Sequence, residues 1–288
     1  MGLRALAFTK MHGTGNDFVV VTRDAIPAGR EPDGIAIMAS HRRFGVGSDG
    51  LLIIGPGGDD YDLDMVFHNP DGTIAEMCGN GLRCVAKYAY DHHLVHGLIF
   101  RVRTGAGILP VEVTVGAEGK VYAVECDMGA PKFACQDIPM IWDEDTAIDV
   151  PFTFLHGDHK HDVRLTAVSM GNPHVVIPVE DVASLKVSHL GPPIETHPIF
   201  PDKTNVEFVQ RLSDDKVQIR IWERGAGETW SCGTGICAVF AALRAQGQAG
   251  DHLTVEVKGG TVETRWSDEG HILMKGPAVE VFAGSMLV

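Results

Sequence analysis

The stretch WSCGTGICAVF, residues 230–240, sets a cysteine in front of a glycine-threonine-glycine turn that runs straight into an apolar, helix-like segment. A cysteine at the mouth of a helix faces unpaired backbone N–H groups and the positive end of the macrodipole. Together these favour a thiolate and can hold an anion beside it. Buried cysteine is also a common small hydrophobe, so this stretch alone leaves packing and chemistry both open. A second copy narrows the choice: Cys78-Gly79-Asn80-Gly81 opens one apolar segment as Cys232-Gly233-Thr234-Gly235 opens the other, at an offset of 154 residues (232 − 78). Gly15-Asn16-Asp17-Phe18-Val19-Val20 resembles Gly171-Asn172-Pro173-His174-Val175-Val176 at an offset of 156 (172 − 16). Asn69 in HNPDG and Glu223 in WERGAG are again 154 apart (223 − 69). Offsets that agree this closely indicate two copies of one unit, each about half the chain.

Working outward, the chain is dominated by short β-rich runs bounded by Gly, Asp or Asn turns: DFVVVTR, LLIIG, DLDMVFH, ILPVEVTV, VYAVEC, HVVIPV, NVEFVQ, KVQIRIW, LTVEVKGG and HILMKG. Against them stand few helix candidates, PDGIAIMASHRRF, GLRCVAKYAYDHHL and GICAVFAALRAQG, the last two with apolar spacing near 3.6. Gly247 is placed to cap the last of these. The pattern reads as strands wrapped around a small number of helices.

Length and charge exclude several classes of function. The 288 residues exceed one average domain, and 44% hydrophobic content with 7% aromatics describes an ordinary globular protein. With 24 basic and 38 acidic residues the formal charge is −14, which repels phosphate backbones and anionic membranes, so neither is an expected partner. The opening MGLRALAFTKMHGTG lacks an apolar core of signal-peptide length, and no run reaches the roughly 18 apolar residues of a membrane span. A cytoplasmic location is expected, where six sparse cysteines stay thiols.

Two duplicated halves, each presenting a thiol at a helix mouth, suit one reaction well. Inverting a stereocentre by proton transfer needs a base on one face and an acid on the other, because a single group tends to return the proton where it came from. A thiol serves both roles, since its free pKa of about 8.5 falls at a helix N-terminus. Removing a proton α to a carboxylate builds charge on that carboxylate, and the backbone N–H groups of Gly79, Asn80, Gly233 and Thr234 are donors suited to it.

These residues resemble the diaminopimelate epimerases, cofactor-independent enzymes that interconvert LL- and meso-2,6-diaminopimelate. The likeness runs through nearly the whole chain: KMHGTGNDF, FGVGSDG, FHNPDG, MCGNGLRC, SMGNPH, TNVEF and ERGAGETWSCGTG, in that order. It implies that Cys78 and Cys232 are the acid-base pair and that Gly79-Asn80 and Gly233-Thr234 grip the reacting carboxylate. It implies substrate contacts at Asn16, Asn69, Asn172, Asn205, Glu223 and Arg224, with His174 and Glu223 tuning the thiols. Gly50 departs from the pattern, standing where some members carry glutamine. The residue types suit a diamino dicarboxylate, since Arg224 offers a bidentate fork to a second carboxylate, and asparagine carbonyls and Glu223 offer acceptors to an ammonium. Taken singly, the asparagines also suit turns, and Glu223-Arg224 could be a surface pair.

The resemblance further implies an α+β fold of two pseudo-symmetric domains, each a barrel-like, mainly antiparallel sheet around a central helix. The expected domains are 1–122 plus 277–288, carrying Cys78, and 123–276, carrying Cys232. It places an aromatic dimer contact at Phe282, implying a homodimer, and it calls for no cofactor or metal. The rival readings are a two-thiol proline racemase or hydroxyproline epimerase and a non-catalytic amino-acid-binding relative. The former group resembles this fold but prefers histidine where Asn80 stands, and a cyclic imino acid has no use for Arg224. The literal G-x-G-x-x-G of Gly45–Gly50 is set aside as a dinucleotide site because LLIIG after it reads as strand. His156, His159 and His161 read as a solvated loop before a metal site, and Cys84, Cys126, Cys135 and Cys237 as packing.

Overall fold

The computed structural model describes residues 3–288, which divide into two compact lobes. The first runs to Asp127 and resumes with Lys275–Val288; the second is Met128–Met274. The boundary expected after residue 122 falls inside a strand, Val121–Asp127, so the chain leaves the first lobe only when that strand ends.

The first lobe contains β1 (Ala5–Gly13), β2 (Asn16–Thr22), α1 (Pro32–Ser40), β3 (Leu51–Pro56), β4 (Leu63–His68), β5 (Ile74–Ala75), α2 (Gly79–Asp91), β6 (Ile99–Thr104), β7 (Gly107–Val115) and β8 (Val121–Asp127). The second contains β9 (Val150–His156), β10 (His159–Ser169), β11 (Pro173–Pro178), α3 (Val187–Glu195), β12 (Asn205–Arg211), β13 (Lys216–Glu223), β14 (Gly227–Thr229), α4 (Gly233–Ala245), β15 (His252–Val257) and β16 (Gly260–Trp266). Then β17 (Ile272–Gly276) leads to β18 (Val279–Leu287), which returns to the first lobe and pairs antiparallel with β1, Ala5 opposite Leu287.

One topology is written twice. In the first lobe β1 and β2 form a hairpin, β2 runs parallel to β3 with Val20 opposite Leu52, and β3 pairs antiparallel with β4. β4 pairs with the short β5 and runs parallel to β6, and α2 fills the crossover between β5 and β6. In the second lobe β10 and β11 pair antiparallel, β11 runs parallel to β12 with Val176 opposite Glu207, and β12 pairs antiparallel with β13. β13 pairs with the short β14 and runs parallel to β15, with α4 in the crossover. Parallel strands need such crossovers because a two-residue turn cannot bring the chain back in the same direction.

Each sheet curves around its own helix. α2 packs against β1 to β4, β7, β8 and β18, and α4 against β10, β11, β12, β15 and β16. α4 is apolar on nearly every side: Ile236, Cys237, Ala238, Val239, Phe240, Ala241, Ala242 and Leu243 are buried, as befits a helix enclosed by strands. α2 is enclosed too, yet buries Arg83, Lys87 and Asp91. Lys87 Nζ donates to Asp91 Oδ2 at 2.7 Å and to the Val121 carbonyl at 2.6 Å, and Asp91 Oδ1 accepts from Val121 N–H at 2.9 Å. Smaller helices cover the outside, α1 against β2 to β4 and α3 against β9, β12, β13 and β14.

Candidate active site

Both helix mouths are built alike. Cys78 is the N-cap of α2 and Cys232 the N-cap of α4, each in extended backbone conformation (φ −143° and −124°), so the chain turns into the helix directly after the sulfur-bearing residue. Space is tight at the third residue beyond each cysteine, a glycine in both lobes. A Cβ on Gly81 would lie 3.0 Å from Leu52 Cδ2, and one on Gly235 would lie 2.6 Å from Glu207 Oε1. Strand and helix therefore meet closely beneath both first turns, leaving the early N–H groups as donors.

In the first lobe Cys78 Sγ accepts from Gly81 N–H at 3.4 Å and donates to Asn16 Oδ1 at 3.7 Å. Asn16 Oδ1 also accepts from Asn80 Nδ2 at 3.1 Å, and its own amide donates to Asp49 Oδ2 at 2.7 Å. Asp49 is in turn held by Arg42 at 2.7 Å. Behind the helix mouth, fully buried Arg83 donates to Asn80 Oδ1 (2.9 Å), Thr14 Oγ1 (3.2 Å) and the Pro277 carbonyl (3.2 Å). Asn16, Cys78 and Asn80 thus form one cluster, with a buried guanidinium one residue behind it. Asn69 stands outside this network, in the turn after β4, where it donates to Thr73 Oγ1 at 3.0 Å. Gly50 offers no room for a side chain: an added Cβ would meet Phe67 Cε2 at 2.4 Å and the His68 carbonyl at 2.5 Å. The Gly45–Gly50 loop feeds strand β3, and its Gly50 carbonyl accepts from Val19 N–H and Ser48 Oγ, both at 3.0 Å.

The second lobe gathers Asn172, His174, Glu223, Cys232 and Thr234. Cys232 lies 3.4 Å from Thr234 Oγ1 and hydrogen-bonds the Glu223 carboxyl, which also accepts from the Thr229 hydroxyl. His174 is buried, with Nδ1 at 2.8 Å from Glu207 Oε1 and Nε2 at 3.0 Å from Asn172 Oδ1. Asn205 braces the neighbouring turn: its amide donates to the Pro173 carbonyl at 2.8 Å, and its Oδ1 accepts from Arg224 N–H at 2.9 Å. Among the described residues, the Arg224 guanidinium donates to a backbone carbonyl, that of Asp202, at 3.0 Å.

The electrostatics of the second mouth correct the expectation of a depressed thiol. Burial pushes Cys232 well above the ordinary thiol range, and the carboxylates of Glu223 and Glu207 push it further. The Thr234 hydroxyl and the Gly235 N–H pull the other way and are outweighed. Glu223 is itself raised, first by burial and then by Glu207, against the Thr229 and Cys232 hydrogen bonds and the His174 charge. The other cysteines are packing residues by position. Burial pushes Cys126 up to about 12 and Cys84 higher still, and it raises Cys135, beside β9 and β10; Cys237 lies buried in the α4 core.

Sequence reasoning passed over Glu207 and Arg83. The signal for Glu207 was a single charge inside NVEFV, a run otherwise buried on both faces; Arg83 lay unread inside an enclosed helix. His156 and His159 flank the β9–β10 hairpin and His161 follows on β10, where its ring stacks on Phe154 at 5.0 Å. Among the described residues no group of three or more His, Cys, Asp or Glu is placed to hold a metal ion. Two clefts of the first lobe, about 390 and 460 Å³, are lined by Arg23 and Asp64 with Arg103, and by Thr22, Arg23 and Asp62; Cys78 lines neither.

The duplicated lobes, each with a helix mouth of this kind, define a shared fold. It is similar to a hydroxyproline epimerase of Agrobacterium vitis solved with bound trans-4-hydroxy-L-proline (TM-score 0.72, 14% identity, covering 99% of this chain and 93% of that one). It is also similar to a Bacillus anthracis phenazine biosynthesis protein of the PhzF family (TM-score 0.69, 18% identity, 99% and 100% covered). At these identities the likeness concerns the fold alone. The sequence is more specific: the family model described as diaminopimelate epimerase matches residues 8–134 and 166–281, and the chain belongs to that family. It is 44% identical over 283 residues to the diaminopimelate epimerase of Bacillus mycoides and 44% over 285 residues to that of Bacillus cereus strain B4264, with 96% of each chain covered. The protein is an isomerase of the epimerase kind.

Proposed function

We propose that this chain interconverts LL- and meso-2,6-diaminopimelate, in lysine and peptidoglycan precursor synthesis, by a cofactor-independent two-base transfer in which one thiolate removes the α-proton and the other thiol returns one to the opposite face. The observation that carries this reading is the paired design: each lobe caps its central helix with a cysteine, Cys78 or Cys232. Proton transfer from opposite faces needs two such groups and inverts the carbon without an external acid or base. The N–H groups at Gly79-Asn80 and Gly233-Thr234 are suited to the charge that develops on the reacting carboxylate.

The remaining residues take roles that their chemistry supports. His174 and Glu223 adjust the thiol of the second lobe, which Glu223 touches directly. Asn16, Asn69, Asn172, Asn205, Glu223 and Arg224 contact the diamino dicarboxylate, with Arg224 pairing its distal carboxylate. Asn16 already holds Cys78, and Asn205 already holds the backbone of Arg224, so these two also preset the geometry the substrate meets. The enzyme acts in the cytoplasm as a homodimer. β18 leaves Val279, Val281, Phe282 and Leu287 exposed, and Phe282, packed edge-to-face on Phe8 at 5.9 Å, offers apolar surface that a second copy would cover.

Incubating the reduced protein with LL-diaminopimelate in heavy water, followed by chiral analysis, tests the reaction. The meso product should form carrying deuterium at the inverted carbon. Product without solvent label would eliminate the two-thiol route, and absence of turnover would eliminate the substrate assignment.

A further inference from the structure

The two lobes differ most where they should match. Leu52 and Glu207, 155 residues apart (207 − 52), hold the same place in the two strands below the two helix mouths, each against the glycine three residues past a cysteine. The first lobe fills that place with a fully buried aliphatic side chain; the second fills it with a carboxylate that has no access to water. A buried charge replacing leucine under an otherwise repeated motif is costly without a purpose.

The geometry around Glu207 points to that purpose. A Cβ built on Gly235 would lie 2.6 Å from Glu207 Oε1 and 3.4 Å from Cys232 Cβ, so carboxylate and cysteine flank one point of the first helical turn. Oε1 is tied to His174 Nδ1 at 2.8 Å, while Oε2 is buried with no hydrogen-bond partner among the described residues. The charge is therefore held in place on one side and left unsatisfied on the other. The other ionisable groups facing this pocket are Glu223 from β13 and His174 from β11. β10, β15 and β16 also pack on α4, but their buried side chains are Leu165, Thr166, Ala167, Val168, Ser169, Leu253, Val255, Val257, Val262 and Thr264, none of them ionisable in the working range.

We infer that Glu207 is a positioning residue whose fixed negative charge beneath the α4 mouth holds the proton on Cys232 in the substrate-free enzyme and fixes the His174 ring beside it. The inference rests on the two-thiol reading of the reaction and assigns a cause to the protonated state of the second lobe's thiol. The carboxylate touches no reacting atom. It acts because a thiolate on Cys232 would add negative charge to a dry pocket where the carboxylates of Glu223 and Glu207 already oppose it.

The test follows alkylation of Cys232 by iodoacetamide across pH 7 to 11, mapped by peptide mass spectrometry, with thiolate absorbance near 240 nm as a second reading. Wild-type Cys232 should ionise above the ordinary thiol range. Glu207→Gln, which keeps shape and removes charge, should shift the profile down by about one unit, a roughly tenfold faster alkylation at fixed pH. Glu207→Asp, which keeps the charge, should restore most of the wild-type profile. In turnover, Glu207→Gln should move the alkaline limb of the kcat profile to lower pH with little change in KM. A wild-type Cys232 that ionises as an ordinary thiol overturns the inference without any variant, as does a Glu207→Gln profile that stays put or moves up. The alkylation reading needs no substrate, so its failure is distinct from an absence of epimerisation, which would instead remove the reaction itself.

Discussion

The two lobes share a topology and differ in where they bury charge. In the first, the central helix itself buries Arg83, Lys87 and Asp91, while the strand below the helix mouth offers Leu52. In the second, the helix is apolar and the strands carry it, as His174 on β11 and Glu207 on β12. The consequence falls on the thiols. Cys78 has an asparagine amide network with a guanidinium behind it, whereas Cys232 has two carboxylates beside it. A duplication that began with equal halves has given its two sulfurs different neighbours, and at Cys232 the neighbouring carboxylates together with burial favour the protonated thiol.

The hardest way to break this comparison is to remove one thiol at a time. Cys78→Ala and Cys232→Ala should each lower epimerisation by at least about 10³-fold with the circular dichroism unchanged, because neither lobe's group can substitute for the other. Near-normal turnover in one variant would make that lobe a scaffold only. Asp91→Ala is next in size: it leaves the Lys87 ammonium buried without its partner and should cost about 3–5 kcal/mol in urea unfolding. Arg83→Met keeps the volume but removes the buried donor shared by Thr14, Asn80 and the Pro277 carbonyl, for about 2–3 kcal/mol.

Alkaline titration sharpens the picture in both lobes at once. Cys126, pushed up to about 12, and the still higher Cys84 keep their protons in the folded first lobe, and Cys232 does so in the second. Above pH 9 the unfolded chain releases protons that the folded chain retains. The unfolded state then binds fewer protons, and stability falls as pH rises, by roughly 1.4 kcal/mol per pH unit for each such thiol. Cys126→Ala should remove one thiol's share of that slope, measured as the urea midpoint between pH 9 and 11. The smallest effect is expected at Cys237, which lies inside the apolar α4 core; Cys237→Ala should cost only about 1 kcal/mol.

Much of this was legible in the sequence wherever the signal was local. β2, β3, β11 and β12 follow β-branched runs bounded by turns, and both central helices begin at the cysteines that announce them. Gly247 caps α4 with φ +70°, its N–H bonded to the Arg244 carbonyl at 2.9 Å. α1 stops at Ser40, short of the expected Phe44, because the chain after His41 folds back with Gly45 N–H on the His41 carbonyl at 2.8 Å. α3 was hidden by Pro192-Pro193 in its last turn, which reads as a break. Packing holds it nonetheless: Gly191 sits so close to Trp222 that a Cβ there would meet the indole at 2.3 Å. β1 was hidden because its own pattern does not alternate cleanly, with burial on successive residues from Phe8 to Met11. At the site, the cysteines and the turn asparagines were visible as residue types. Glu207 and Arg83 were not, because what makes them matter is burial, and a charge in a strand or helix carries no mark of being buried until the chain has folded.

The return of β18 to pair with β1 sets an order on synthesis. When a ribosome has made residues up to Asp127, β1 still lacks the neighbour that will cover one of its edges, and that neighbour follows the whole of the second lobe in the chain. The second lobe, continuous in the chain from Met128 to Met274, has all its strands before then. The first lobe is thus completed only after the second has been made, and until β18 emerges the open edge of β1 is exposed to pairing with other chains.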